Sequence, residues 1–388
     1  MLTPRSTLMR RVTAALDASP SRIPVLVGGC GSGRTTLLHQ LRDRIGRATT
    51  AHIDIEQTAT TPERFFRAVA TAAPFGADVV GPAGTRPAFE AALAILTGTR
   101  TSNNLPATFL LDEFLELRTF ESFPGLRRVL HDCVDGLTAS PNRFVLTSRY
   151  ASRTLRLLRD RSARFEVIHM PALTAEDTLD VLGLAAGHLS SGDAHEAEYT
   201  ARTVQSLADG RPAYVRAVAD ELIAMRERGG PGSSDAVSAL CSVLVADGRM
   251  SQQCRFSYEL RLHRARGYGA LKAILDILGE DEGLTLTEIS QRLQRTPGST
   301  KDYLSWLEDV DLVTARGKRY SYADPLLRVW VRLHCRATAP TEDDLAREVR
   351  LFARPRLPQP PEPALAMPPA AHSPSGEERK DWGIIEID

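Results

Sequence analysis

The hydrophobic pattern divides the chain into short apolar runs and longer amphipathic stretches. Five apolar runs bounded by polar turns predict buried parallel strands. They are Ile23–Val27, Thr50–Ile55, Ala107–Phe114, Arg143–Thr147 and Phe165–Met170. Helical periodicity lies between them, over Ser6–Ala18, Thr61–Ala73, Pro87–Thr97 and Phe123–Leu137. Strands that alternate with helices predict an α/β core, with a five-stranded parallel sheet between two helical layers, over residues 1–171.

The strand signal disappears after this core. Residues 172–230 are predicted to form an all-α lid and residues 231–266 a helical connector, with the linker Arg228–Ser234 between them. In residues 267–340, helices and a turn precede two short apolar segments around Ala315–Arg319, a pattern that predicts a winged helix. Residues 341–388 are predicted to be a disordered tail, since eight of the chain's 24 prolines lie from residue 355 onward.

Composition and charge narrow the class of protein. Of the 388 residues, 43% are hydrophobic and 25% are charged, as in soluble globular proteins. The net charge is zero, so no overall field attracts the chain to nucleic acid or membrane. The five cysteines form no C-x-x-C pair, which favours reduced thiols over a disulfide framework or a zinc site. With neither a signal peptide nor a membrane span in the pattern, we expect a cytoplasmic protein without membrane contact.

A glycine-rich loop between the first strand and the next helix is the leading candidate site. Glycines let backbone N–H groups surround a phosphate, and the helix N-terminus that follows adds partial positive charge. The spacing G-x-x-x-x-G-K-[ST] of a phosphate-binding P-loop is matched except at Arg34. The predicted nucleotide-binding residues are Gly28, Gly29, Cys30, Gly31, Ser32, Gly33, Arg34, Thr35 and Thr36. The alternative is a glycine-rich turn without a ligand.

Arg34 stands where the motif has lysine. Arginine keeps the charge, but its planar head is bulkier than an ammonium group, so the exchange is not conservative at a fitted phosphate site. The chain also avoids lysine generally, with four lysines among its 48 basic residues. We therefore predict that ATP or ADP binds and that ATP is turned over slowly, with Arg34 among the catalytic residues. A scaffold that binds nucleotide without turnover is the alternative.

A second nucleotide motif ends the third predicted strand. The strand buries its apolar residues and presents Asp112 and Glu113 at its tip, beside the P-loop. Asp112 is predicted to bind Mg²⁺ together with Thr35, and Glu113 to orient and deprotonate the attacking water. The 77 residues from Thr35 to Asp112 leave room for an inserted strand and helices. A strand that merely ends in two acids is the alternative.

The fourth predicted strand also ends in polar residues, Ser148 and Arg149. At this strand tip they would face the terminal phosphate, and a cation there distinguishes a triphosphate from a diphosphate. Arg149 is accordingly a predicted catalytic residue and Ser148 a predicted nucleotide contact. Alternatively, Arg149 caps the following helix or lies in solvent.

Two further segments are candidate contacts with partners. On the predicted winged helix, residues that could touch DNA are Thr300, Lys301, Tyr303, Arg316, Lys318 and Arg319. Nearby acids such as Asp302 and Asp309 leave this face weakly basic, so contact with protein is favoured over contact with nucleic acid.

The last residues, Trp382–Asp388, alternate apolar and acidic side chains and are predicted to dock on a separate effector protein. An idle terminus is the alternative.

Several stretches together resemble the STAND branch of AAA+-related ATPases, in particular archaeal-type ATPases with a C-terminal winged helix. They are GGCGSGRTTLL, LLDEF, FVLTSR, HMPALTAEDTLDVL, GRPAYV and YADPLLRVWVRL, within Leu8–Cys335. The resemblance implies strand order 5-1-4-3-2, a Walker B role for Asp112 and Glu113, and γ-phosphate sensing by Ser148 and Arg149. It also implies that Pro212 packs near the adenine and couples nucleotide state to the winged helix.

The expected function is therefore a STAND-type molecular switch that binds ATP with Mg²⁺, hydrolyses it slowly and signals to a separate partner protein. The effector domain or repeat array usual in the resembling family is missing from the sequence, so the output must be another protein or DNA. The main alternative is an ATPase that loads on DNA or regulates transcription through the winged helix.

Overall fold

The computed structural model describes residues 5–76, 80–159, 161, 163–183, 191–229, 235–263 and 267–358. The predicted docking segment Trp382–Asp388 and part of the linker Arg228–Ser234 lie outside the described residues. None of the described helices is long and apolar enough to span a lipid bilayer.

A five-stranded parallel sheet forms the centre of the N-terminal part. Its strands are β1 (Ile23–Val27), β2 (Thr50–Asp54), β3 (Thr108–Asp112), β4 (Arg143–Ser148) and β5 (Phe165–His169). They pair in the order β2-β3-β4-β1-β5. This order confirms the one expected from the resemblance, and it places the tips of β1, β3 and β4 side by side.

Helices cover both faces of this sheet. They are α1 (Ser6–Asp17), α2 (Arg34–Ile45), α3 (Ile55–Thr58), α4 (Pro62–Ala70), α5 (Thr85–Gly98), α6 (Val129–Ala139) and α7 (Ala151–Leu158). On one face, α1 and α2 pack their leucines against Leu26, Leu110 and Ile168. The remaining helices pack against the opposite face in a larger apolar core.

The helix predicted over Phe123–Leu137 begins later than expected, at Val129. Pro124 and Gly125, which has φ +80°, form a turn that prevents an earlier start. Before that turn, Phe114–Ser122 forms a 3₁₀ helix that the sequence pattern did not predict. This segment leads directly away from Glu113 and forms one wall of a cavity described below.

Five helices follow the sheet domain: α8 (Ala175–Val181), α9 (Ser191–Leu207), α10 (Pro212–Gly229), α11 (Ala236–Leu244) and α12 (Arg249–Leu262). Thr174 and Asp177 form a complete capping box at the start of α8. Pro212 begins α10, where its missing N–H costs no hydrogen bond. Since α10 packs against both α11 and α12, the predicted lid and the predicted connector are in contact.

A winged helix-turn-helix follows. Its elements are α13 (Tyr268–Glu280), β6 (Leu284–Thr285), α14 (Leu286–Leu293), α15 (Pro297–Asp309), β7 (Val313–Arg316), β8 (Arg319–Tyr322) and α16 (Pro325–His334). The sheet has the order β6-β8-β7, so β6 adds a third strand to the predicted two. Thr300 is fully buried and its hydroxyl donates to the Thr296 carbonyl, so this residue does not face a ligand as expected.

The predicted disordered tail from residue 341 is wrong over its first part, because Glu342–Ala353 forms helix α17. Thr341 and Asp344 form a capping box, and one apolar face, which includes Val349 and Phe352, is buried against α11 and α16. Arg332 donates two hydrogen bonds to Glu348, at 2.8 and 2.9 Å. The prolines that suggested disorder begin only at Pro355, after this helix has ended.

Candidate functional site

The glycine loop joins β1 to α2 and packs closely against the start of α10. Gly31 and Gly33 have φ of +76° and +83°, conformations that favour glycine. A Cβ built on Gly31 would lie 2.7 Å from the Ala213 Cβ, so no larger residue fits there. The loop therefore keeps its backbone accessible and brings the lid helix into contact with it.

Arg34 is the first residue of α2, and its side chain lies inside the loop with only 7% exposed. Its Nη1 donates to the Gly29 carbonyl at 2.7 Å and to the Ser32 hydroxyl at 3.0 Å. Its Nη2 donates to a carboxylate oxygen of Glu113. The guanidinium thus connects the loop backbone to the second nucleotide motif.

Asp112 lies at the tip of β3 between two threonine hydroxyls. The Thr35 hydroxyl donates to Asp112 Oδ2 at 2.7 Å, as expected of a shared Mg²⁺ site. The Thr147 hydroxyl donates to the other carboxylate oxygen and accepts from the Glu113 N–H at 2.9 Å. Thr147 was missed at the sequence level because a threonine inside an apolar run looks like an ordinary strand residue.

Glu113 is held by two arginines. Its Oε2 accepts from the Arg149 N–H at 3.0 Å and lies 3.2 Å from Arg149 Nε, while Oε1 accepts from Arg34. Burial would raise the pKa of Glu113, but the two cations outweigh it and hold that pKa below its usual range. The carboxylate is therefore ionised, and both of its oxygens are engaged.

The residues at the tip of β4 have separate surroundings. Arg149 also forms an ion pair with Glu56 in α3. Burial lowers the pKa of Arg149, but Glu113 and Glu56 more than offset this and raise it overall. Ser148 is fully buried and its hydroxyl accepts from the Tyr150 N–H at 3.1 Å, while its carbonyl accepts from Gly28. Contact of Ser148 and Arg149 with a terminal phosphate stays a prediction.

Two arginines that sequence reasoning missed lie over the loop. A Cβ on Gly29 would be 3.1 Å from Arg261 Nη2 and 3.4 Å from Arg211 Nη1. Arg261 belongs to α12 and donates to the Asp311 carbonyl at 2.8 Å. Arg211 precedes α10 and pairs with Asp324 at 2.8 Å. Both arginines thus connect the loop to the winged helix, through contacts that no local motif indicates.

A small cavity of about 310 Å³ separates the loop from the lid. Its lining residues are Gly31, Ser32, Gly33, Arg34, Thr35, Thr36, Pro212, Ala213, Arg216, Arg249 and Gln253. Pro212 Cγ would lie 3.7 Å from a Cβ on Gly33, so this proline borders the loop, and its packing near the adenine stays a prediction. Cys30 is half-buried between Gly29 and Gly31.

These residues fit a Mg²⁺-nucleotide. Gly31 and Gly33 form a backbone cradle that a Cβ would fill or strain. Asp112 and Thr35 supply the hard oxygen ligands that Mg²⁺ prefers, the rest normally coming from phosphates and water. The buried Arg34 Nε has no hydrogen-bond partner among the described residues. Binding of the nucleotide itself remains a proposal.

Comparisons with known proteins bear on this arrangement. Residues 270–314 match a family described as winged helix-turn-helix DNA-binding. No curated protein matches the chain in sequence. The solved Walker-type ATPase Paby2304 of Pyrococcus abyssi is similar in structure, with a TM-score of 0.60 and 16% identity over 86% of this chain and 96% of that one. The fold is that of a P-loop ATPase.

Two further solved structures are similar to this P-loop ATPase fold at lower TM-scores. The Aeropyrum pernix Orc1 protein in complex with DNA matches with a TM-score of 0.45 and 17% identity, over 91% of this chain and 94% of that one. The Thermotoga maritima RuvB Holliday junction branch migration motor matches with a TM-score of 0.43 and 12% identity, over 82% of this chain and 91% of that one. At these identities the likeness concerns the fold alone.

Proposed function

We propose that this chain is a STAND-type switch that binds ATP with Mg²⁺ and alters the contact between its ATPase core and its winged helix. One observation carries the proposal. Asp311, between α15 and β7, accepts hydrogen bonds from the Ala151 N–H at 2.6 Å and the Ser152 hydroxyl at 2.8 Å. A residue of the winged helix thus caps α7, which begins two residues after Arg149. We call this contact the Asp311 cap.

The described contacts suggest how the switch operates. In the structure, Glu113 holds Arg34, and together with Glu56 it holds Arg149. A phosphate at the loop competes for both guanidinium groups, because charge-assisted bonds to phosphate are at least as strong as those to carboxylate. Movement of Arg149 displaces the start of α7 and so weakens the Asp311 cap. A change at the nucleotide site is then transmitted to the winged helix through the three backbone residues from Arg149 to Ala151.

Hydrolysis returns the chain to its first state in this proposal. Once Arg34 and Arg149 bind phosphate oxygens, Glu113 is free to orient and deprotonate water. Thr35 and Asp112 would hold Mg²⁺, which neutralises charge between the last two phosphates. Loss of the terminal phosphate restores both ion pairs with Glu113. The switch signals to a separate protein. The segment of this chain that is the candidate for docking on it, Trp382–Asp388, lies outside the described residues.

Removing the Asp311 cap is expected to increase ATP affinity about two- to thirtyfold, since a helix cap contributes about 0.5–2 kcal/mol. The variant is Asp311→Gly, because glycine accommodates the φ of +52° at this position. Amide hydrogen exchange of the wild type should show faster exchange in 151–154 and 297–310 when Mg-ATP is added. Asp302→Ala removes an equal charge from an exposed site on α15. It should change neither the ATP affinity nor the exchange rates in the two segments.

Two outcomes would contradict the switch. Exchange in both segments of the wild type could be the same with and without saturating Mg-ATP. Alternatively, Asp311→Gly could bind ATP with wild-type affinity while remaining folded by circular dichroism. Either result would leave an ATPase whose winged helix is insensitive to nucleotide.

A second candidate function is binding of nucleic acid through the winged helix. The match of residues 270–314 to a DNA-binding family favours it. Lys301 is exposed on α15, and the wing exposes Arg316, Lys318 and Arg319. Against it, the C-terminal half of α15 packs toward α7, and Asp309 pairs there with Arg156. The free part of the helix is therefore short.

Under this second function, duplex DNA should bind with an affinity that falls steeply as salt rises. Replacing Lys301, Arg316, Lys318 and Arg319 with alanine should reduce the slope of log K against log salt by about 3 to 4, as each lost phosphate contact contributes about 0.9. Fluorescence anisotropy of labelled duplex DNA, repeated at several salt concentrations, measures both the affinity and the slope. A control variant neutralises four exposed core residues, Arg10, Arg44, Arg64 and Arg67. Equal slopes in the two variants would exclude the winged helix as the DNA site.

A further inference from the structure

A second cavity, much larger than the one at the glycine loop, lies between the ATPase core and the winged helix. Its volume is about 1,090 Å³. Its walls are the 3₁₀ helix Phe114–Ser122, α7, the end of α12 and the end of α15. Glu56, on α3, also lines it. The cavity thus lies on the far side of Arg149 from the glycine loop, in a region to which no motif assigns a function.

Arg153 is the notable residue of this cavity. Its guanidinium lies 5.0 Å from the ring centre of Tyr150 and 6.0 Å from that of Trp306. Its Nε is buried without a hydrogen-bond partner, and among the described residues it makes no ion pair. Burial, and secondarily the nearby Arg118, lower the pKa of Arg153, while Asp309 and Asp311 offset part of this shift.

Other charged side chains of the cavity wall form three ion pairs. Arg156 pairs with Asp309, Arg118 with Glu121, and Glu56 with Arg149. Arg261 donates to a backbone carbonyl. Among the described residues, Arg153 and Arg261 are thus the two guanidinium groups of the wall without a carboxylate partner, and of the two it is Arg153 that lies near both aromatic rings. An incoming anion could bind it without first breaking an ion pair.

Beside this cation the wall is apolar. Leu115, Leu157 and Leu260 line the cavity together with the Trp306 ring. Pockets for small molecules combine such apolar walls with a few fixed polar groups, and their volumes are typically about 300–1,000 Å³. We propose that this cavity binds a small organic anion whose carboxylate or phosphate pairs with Arg153 and whose apolar or aromatic body contacts Trp306 and the leucines.

The position of the cavity also connects it with the nucleotide site. Glu56 lines the cavity and pairs with Arg149, and Tyr150 both lines it and follows Arg149 in sequence. An anion at Arg153 lies close enough to alter the Glu56–Arg149 pair, so it should change ATP affinity, and ATP should change its affinity by the same factor. This coupling rests on the proposed function. Binding of the anion does not, and it is tested without nucleotide.

The test uses 8-anilino-1-naphthalenesulfonate, an aromatic anion, with the full nucleotide-free chain. We expect saturable binding with energy transfer from Trp306. Of the other two tryptophans, Trp330 is buried against Tyr258 elsewhere and Trp382 lies outside the described residues. Arg153→Gln should weaken binding at least tenfold. Arg159→Gln removes the same charge from an exposed position at the end of α7 and should bind as the wild type does. Trp306→Phe should lose most of the energy transfer.

Competitors then define the chemistry of the ligand. 2-Naphthoate and 2-naphthyl phosphate should each displace the probe, and the tighter of the two identifies the preferred head group. Neutral 2-naphthalenemethanol should displace it at least tenfold more weakly. If Arg153→Gln does not fold, Arg153→Lys keeps the charge and should retain binding. Equal affinity in folded Arg153→Gln, or equal displacement by the neutral compound, would overturn the proposal.

Discussion

Replacing Arg34 with lysine is expected to raise the rate of ATP hydrolysis at least tenfold, a barrier change of about 1.4 kcal/mol. The Arg34 guanidinium donates to both the Gly29 carbonyl and the Glu113 carboxylate. Lysine has one compact charged group, which cannot form both contacts in the same way. Glu113 would then be released more readily to act on water.

The measurement is phosphate release at saturating Mg-ATP, together with ATP affinity from a fluorescent analogue. Arg44→Lys makes the same exchange at an exposed position of α2 and should leave both values unchanged. A wild-type rate in Arg34→Lys would mean that the arginine does not limit turnover. A lower rate would mean that hydrolysis needs the paired donors of the guanidinium, which a single ammonium group cannot replace.

Replacing Glu113 with glutamine is expected to lower the rate of hydrolysis by about 10²–10⁴, the usual contribution of a general base. Glutamine keeps the side-chain length and can still accept from the Arg149 N–H. It lacks the charge that holds Arg34 and Arg149, so ATP should bind at least as tightly as in the wild type. The variant should therefore accumulate in its ATP-bound state.

Single-turnover kinetics of Glu113→Gln test the loss of hydrolysis, and the nucleotide content of the purified variant tests whether ATP accumulates on it. Glu90→Gln, at an exposed ion pair in α5, is the control and should hydrolyse ATP normally. Retention of wild-type turnover in Glu113→Gln would remove Glu113 from the reaction. It would also remove the reason for the expected effect of Arg34→Lys, so the two experiments test one mechanism.

The core of this fold could be predicted from sequence because each of its signals is local. A buried strand, a glycine loop and an amphipathic helix lie within Ile23–Ile45, and the strand that ends in Asp112 and Glu113 has its own pattern. The contact of Thr35 with Asp112 depends in addition on the strand order, which the family resemblance supplied. The winged helix is indicated by short helices and two strands that are neighbours in sequence.

The contacts around that core could not be predicted, since they join distant residues through ordinary side chains. Asp311 meets Ala151 across 160 positions. Arg261 lies near Gly29 although nothing marks it among the 48 basic residues. The 3₁₀ helix after Glu113 was missed for a related reason, since its stability comes from packing against other elements. Helix α17 does carry local signals, a capping box and an apolar face, and it was missed because the disorder indicated by the prolines from Pro355 onward was extended back to residue 341.

The sequence separation of the Asp311 cap has a consequence for synthesis on the ribosome. Domains fold as units from the N-terminus, at about 5–20 residues per second of chain growth. Asp311 lies 160 residues after Ala151, so it emerges about 8 to 30 s later. During that interval the P-loop, Asp112, Glu113 and Arg149 can already assemble, with the N-terminus of α7 uncapped. Under the proposed function, the loop of a nascent chain can therefore bind nucleotide before the winged helix exists, and the cap then forms on a site that is already occupied.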